Sequence, residues 1–171
     1  QVRRYLDAPG IRPVLAALRR HVGAGGQVAA SCSAVFLLGA AGLLARRRAT
    51  ISWWHAPLLQ ALVPDCRVDP DRMVCADGPV TTAGAAFAQI DLTIQLVRYR
   101  CGSALADRVS RMLLIDGRQS QAPFILPDVL AGGHELVARL TARIEAALPD
   151  PPAVAELARE MRMSERTLSR H

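Results

Sequence analysis

The stretch Gln27 to Gly42, QVAASCSAVFLLGAAG, limits the folds open to this chain more than any other. A short run of small apolar residues, Val28, Ala29 and Ala30, leads into Ser31-Cys32-Ser33, and Val35, Phe36, Leu38, Gly39 and Gly42 follow at helical spacing. Strand, abrupt turn and helix is the outline of a nucleophile elbow. Such a turn holds one residue at the top of a parallel sheet, with small neighbours so that the chain can bend and the N–H groups at the helix start stay open. Cys32 is that residue, and exposure at a pocket is the reading preferred over a plain buried thiol.

Composition agrees with a packed α/β chain: 51% of the residues are hydrophobic and 21% charged. The apolar run Ala34 to Ala45 is too short to cross a bilayer, and no apolar segment of signal-peptide type follows Gln1-Val2-Arg3-Arg4-Tyr5. Cys32, Cys66, Cys75 and Cys101 show no CxxC pairing and no histidine at metal-ligand spacing, so free thiols in a reducing cytoplasm are expected, with no metal or cofactor. The net charge is +6, carried on arginine alone because lysine is absent, which permits an anionic partner without establishing one.

Taken in order, residues 9 to 22 have the spacing of a helix, stopped by the glycines at 23 to 26. That glycine cluster precedes the first strand, whereas a dinucleotide-binding loop follows one, so it is a helix stop. The strand Val28 to Ser31, a helix from about Ser33 to Leu44 and a strand from Ala49 to Trp54 imply a parallel crossover. Ala56 to Leu62 reads as a short helix; Cys66 to Asp69, Arg72 to Cys75 and Val80 to Thr82 read as strands. The turn Ala83-Gly84-Ala85 opens a long helix with apolar positions at Phe87, Ile90, Ile94 and Val97, broken at Gly102 and followed by a helix from Ser103 to about Ile115. Gln119 to Pro127 is irregular, and Glu135 to Leu148 is an amphipathic helix after the Gly132-Gly133 break. Pro149-Asp150-Pro151-Pro152 is a stiff linker. Beyond it, Ala153 to Met161 and a second helix capped by Ser164 outline a helix-turn-helix.

The segments CSAVFLLGAAGLLARRRATISWW, VTTAGAAFAQIDLTIQLVR and RQSQAPF resemble the sensor domain of AraC-type transcription regulators with a ThiJ/PfpI, or class I glutamine amidotransferase-like, N-terminal domain. VAELAREMRMSERTLSRH resembles the first helix-turn-helix of the AraC-type DNA-binding region. The resemblance implies a flavodoxin-like, doubly wound, mostly parallel sheet over residues 1–148, a linker at 149–152, and the start of an all-α DNA-binding domain at 153–171. It also implies further strands upstream and a second helix-turn-helix downstream, so an internal fragment is expected. As partners it implies DNA, a small-molecule effector and a second copy in a homodimer, with no membrane.

Enzymatic members of the resembled superfamily carry histidine directly after the cysteine, where this chain has Ser33. Related sequences have another histidine in an RRATTHW motif, where Ser52 stands here. His55 is the remaining base available to Cys32, although a histidine beside a tryptophan pair reads more simply as structural. The expectation is a degenerate site that binds a small polar metabolite through Ser31, Cys32, Ser33, Trp53, Ala83 and Gly84 rather than an enzyme. A cysteine-dependent hydrolase, amidase or isonitrile-hydratase-like enzyme is the alternative. Ser164, Glu165, Arg166, Ser169 and Arg170 are the expected DNA contacts.

Overall fold

In a computed structural model of the chain, residues 2–126, 129 and 135–168 are described. Helices α1 (Val2–Leu6) and α2 (Ile11–Gly23) precede strand β1 (Val28–Ser31), which ends at the elbow. A 3-10 turn, Cys32–Ala34, leads into α3 (Val35–Ala40), and β2 (Arg48–Ala49), α4 (Ala56–Leu62) and β3 (Arg67–Val68) follow. Strands β4 (Val74–Asp77) and β5 (Val80–Ala83) form a hairpin, then come α5 (Ala88–Cys101) and α6 (Ser103–Met112). Further on lie α7 (Glu135–Glu145), α8 (Val154–Glu160) and α9 (Glu165–Leu168).

The α/β class stands, and the strands pair mostly in parallel, but the expected crossover from β1 to β2 is corrected. β1 pairs in parallel with β5 (Val28 opposite Val80, Ser31 opposite Ala83), β5 pairs antiparallel with β4, and β2 pairs in parallel with β3 in a separate small sheet. The strand expected from Ala49 to Trp54 stops at Ala49 because side chains take over the ladder. The Thr50 N–H donates to Thr82 Oγ1 at 2.8 Å, and Thr50 Oγ1 donates to the Arg72 carbonyl at 2.8 Å. Trp53–His55 then forms a 3-10 turn.

The core beneath the elbow is made by Val35, Phe36, Leu38, Leu44, Ile51 and Leu59, all buried, with Val80 closing it from β5. Val35, Phe36 and Leu38 among them are positions that the helical spacing after Cys32 marked, and burial of each contributes about 1.5–3 kcal/mol. On α5 the expected face is corrected: Phe87 is 73% exposed, while Ala88, Asp91 and Leu92 are buried. Asp91 can turn inward because Arg118 meets its carboxylate at 2.6 Å.

The chain forms two compact units, Gln1–Ile125 and Leu126–His171, and the helix α7 falls in the second with α8 and α9. In that second unit Arg143 on α7 grips Glu160 on α8 with two parallel bonds, Nε to Oε2 at 2.9 Å and a terminal nitrogen to Oε1 at 3.0 Å. The Gly132-Gly133 break lies outside the described residues.

Candidate functional site

β1 runs extended through Ser31 (φ −127°, ψ 158°) and reverses at Cys32, whose φ is 53°. A left-handed non-glycine residue costs roughly 1–2 kcal/mol, and it persists where the surroundings fix it. Here the Cys32 N–H donates to the Gly84 carbonyl at 2.8 Å, tying the elbow to the end of β5, and the buried Val35 and Phe36 anchor the chain just beyond. The thiol is thereby lifted off the strand and stays half-buried.

The sulfur accepts a hydrogen bond from Ser52 Oγ at 3.1 Å. Ser52 is fully buried, so the position that the RRATTHW resemblance marks for histidine lies against the thiol and carries a hydroxyl. A hydroxyl is no general base near neutral pH, so it orients the sulfur without taking its proton. The His55 ring packs edge-on against Phe36 at 5.4 Å and lies 5.8 Å from the Trp54 ring. Burial holds its pKa below the ordinary histidine value.

The other expected residues divide. Ser31 Oγ hydrogen-bonds the Gln89 side chain on α5. Ser33 borders a cavity of about 430 Å³ with Val2, Tyr5, Leu6 and Leu37. Trp53 is buried and meets Trp54 edge to face at 5.1 Å. Both line an aromatic cavity of about 400 Å³ with Phe87, Phe124, Met73 and Arg118. Ala83 and Gly84 are both buried at the end of β5, and the Gly84 N–H is bonded to the Met73 carbonyl at 2.9 Å.

What Gly84 supports is Gln121, a residue of the RQSQAPF segment for which the sequence offered no role. Gln121 is 2% exposed. Its amide nitrogen faces Thr50 Oγ1 and the carbonyls of Ile51, Pro70 and Arg72 at 2.9–3.2 Å, and its Oε1 accepts the Ala85 N–H at 3.1 Å. A Cβ on Gly84 would overlap that carboxamide, so glycine is required there by close approach. The signal was present as a glutamine between Ser120 and Ala122, just before Pro123, but only the fold shows which carbonyls converge on it.

Cys66 and Cys75 are buried, and burial pushes both thiols above the usual cysteine range. Among the described residues no group of three histidine, cysteine or acidic side chains is arranged to hold a metal, and no helix is long and apolar enough to cross a membrane.

In the second unit the helix-turn-helix outline is realised locally. Leu157 and Ala158 are buried and Leu168 is half-buried. The turn passes through Arg162 at φ 56°, with the Met163 N–H returning to the Ala158 carbonyl at 3.0 Å. Ser164 caps α9, its Oγ accepting the Thr167 N–H at 3.1 Å. Arg166 is exposed; Ser169 and Arg170 lie outside the described residues.

No family model matches the chain. The HTH-type transcriptional regulator GlxA of Rhizobium meliloti is 38% identical over 93 residues, which are 54% of this chain and 28% of that protein. The HTH-type transcriptional regulator CdhR of Pseudomonas aeruginosa is 28% identical over 137 residues, 78% of this chain and 40% of that protein. The chain therefore spans less than half the length of these curated relatives. Among solved structures, an AraC family transcriptional regulator from Pseudomonas putida matches with a TM-score of 0.52 and 25% identity, over 63% of this chain and 58% of that one. Drosophila melanogaster DJ-1beta matches with a TM-score of 0.55 and 22% identity, over 60% of this chain and 54% of that one, a likeness of fold. The relatives are thus HTH-type regulators, and the structural neighbours join an AraC-family regulator to the DJ-1 fold.

Proposed function

We propose that this chain is part of a DNA-binding transcription regulator in which a DJ-1-like unit senses a small polar metabolite and governs an AraC-type helix-turn-helix region. The observation that carries this reading is the pairing of Cys32 with Ser52: the elbow is built and held, yet the group at its sulfur is a hydroxyl with no basicity. The similarity to HTH-type regulators supports the same conclusion. The metabolite is held at the elbow by Ser31, Cys32, Ser33 and Trp53, on the framework of Ala83 and Gly84. DNA is contacted by Ser164, Glu165, Arg166, Ser169 and Arg170, with two copies acting as a dimer in the cytoplasm. The Arg143–Glu160 clamp joins α7 to the first helix of the DNA-binding region, so movement of α7 reaches the helix-turn-helix directly.

The test uses the full-length gene product. Its operator is first selected from random duplex DNA, and footprinting on that operator is then repeated with a panel of cell metabolites. Arg166→Ala is expected to weaken operator binding by about tenfold or more, and Cys32→Ala with Ser33→Val to abolish the metabolite response while DNA binding persists. Selection of no DNA sequence, or an unchanged metabolite response in the double variant, would overturn the reading. The left-handed Cys32 also favours a second reading, a cysteine-dependent hydrolase, amidase or isonitrile-hydratase-like enzyme. Turnover of amides or isonitriles that disappears in Cys32→Ala would establish it instead.

A further inference from the structure

A further cavity, of about 430 Å³, opens where β4, α5, α6 and the segment around Arg118 meet. Four guanidinium groups border it: Arg72 just before β4, Arg98 on α5, Arg111 on α6 and Arg118 beyond α6. Three have a carboxylate partner of unequal quality. Arg118 meets Asp91 at 2.6 Å and Arg98 meets Asp107 at 2.9 Å, whereas Arg72 reaches Asp69 only at 3.7 Å. Arg111 has no carboxylate within ion-pair distance among the described residues. Ile94, Ile115 and Val74 supply apolar wall to the same cavity.

We propose that this cavity is a binding site for a phosphomonoester with a small apolar body, separate from the elbow. Arginines that approach one space from different chain segments carry planar forks of donors, which suit the several acceptor faces of a phosphoryl group and bind it bidentately. Asp91 and Asp107 border the same cavity, so the four guanidinium groups outnumber the carboxylates there, and an anion seated beside Arg111 and Arg72 offsets the excess of positive charge. The volume exceeds what a phosphate group fills, and the isoleucine and valine side chains give the remainder of the ligand an apolar seat. Arg111 is the anchor, since its guanidinium has no carboxylate to give up on binding.

The test is calorimetric titration of the whole chain with phenyl phosphate, inorganic phosphate and succinate. Phenyl phosphate is expected to bind saturably and more tightly than inorganic phosphate, and succinate more weakly than either. Arg111→Gln, an exposed substitution checked for folding by circular dichroism, is expected to weaken phenyl phosphate binding about tenfold, the loss of one charge-assisted contact. Arg108→Gln, on the same helix but outside the cavity lining, leaves it unchanged. Absence of saturable phenyl phosphate binding, equal loss in Arg111→Gln and Arg108→Gln, or preference for succinate would overturn the proposal.

Discussion

Gln121 and Cys32 are two polar side chains near the ends of the same strands, and their surroundings are opposite. Both ends of the Gln121 amide are hydrogen-bonded from within the protein, by groups from the segments at 50–51, 70–72 and 85. Cys32 is held by its backbone in a conformation that side chains rarely adopt, while its sulfur stays half-buried with one weak bond from Ser52. A fully satisfied buried amide fixes the loops that carry it. A left-handed backbone kept at a half-buried thiol is what the proposed ligand site at the elbow draws on. The difference separates a side chain held by many internal bonds from one whose sulfur has a single weak one.

Truncation to alanine is the sharpest way to break that contrast. Gln121→Ala leaves buried carbonyls and the Ala85 N–H without a partner, and about 3 kcal/mol of stability should go, a fall in Tm of roughly 6–12 °C by calorimetry. A Tm close to the parent's would remove Gln121 from its structural role. Gly84→Ala drives a methyl group into the same amide and should cost about 2 kcal/mol in urea unfolding; combined with Gln121→Ala its cost should shrink, because the obstacle is gone. Cys32→Ala, by comparison, should shift stability by less than about 1 kcal/mol, since it deletes one weak hydrogen bond and leaves the backbone strain in place.

Thiol chemistry probes the smallest difference. Iodoacetamide at neutral pH should label Cys101 and Cys32 before Cys66 and Cys75, read by mass spectrometry of peptides, because the latter pair is buried and pushed toward the protonated thiol. The pH dependence has a definite sign. Raised thiol pKa values mean that unfolded Cys66 and Cys75 ionise first, so their contribution is full below the ordinary value of 9.0 and is lost as pH rises past it. For His55, held below 6.5, the unfolded ring binds the proton first, and stability is lost as pH falls through 6.5. Denaturation midpoints that rise at either extreme would contradict these burials.

The elbow was legible because its pattern is local: small residues before Cys32 and helical spacing after it are what a sharp turn over a packed helix requires. The same holds for the helix-turn-helix, where Ser164 as cap of the second helix is a signal within a few residues. Three expectations failed where the deciding partner was distant in sequence. The strand after Ala49 ended because Thr82 and Arg72 captured the groups of Thr50, and α5 turned Asp91 inward because Arg118 was there to receive it. The crossover partner of β1 proved to be β5 because the β4–β5 hairpin brings that strand alongside.

By itself, then, the sequence determined the α/β character, the bend at Cys32 and the outline of the helix pair after Pro152, all set by periodicity, small residues and caps within one or two turns of chain, while the resemblance marked serine where relatives carry a base. Only the tertiary structure decided that Ser52 touches the sulfur, that Gly84 exists for Gln121 and that four arginines gather between β4, α5 and α6. Those juxtapositions join residues that packing, not neighbourhood in the chain, brings together.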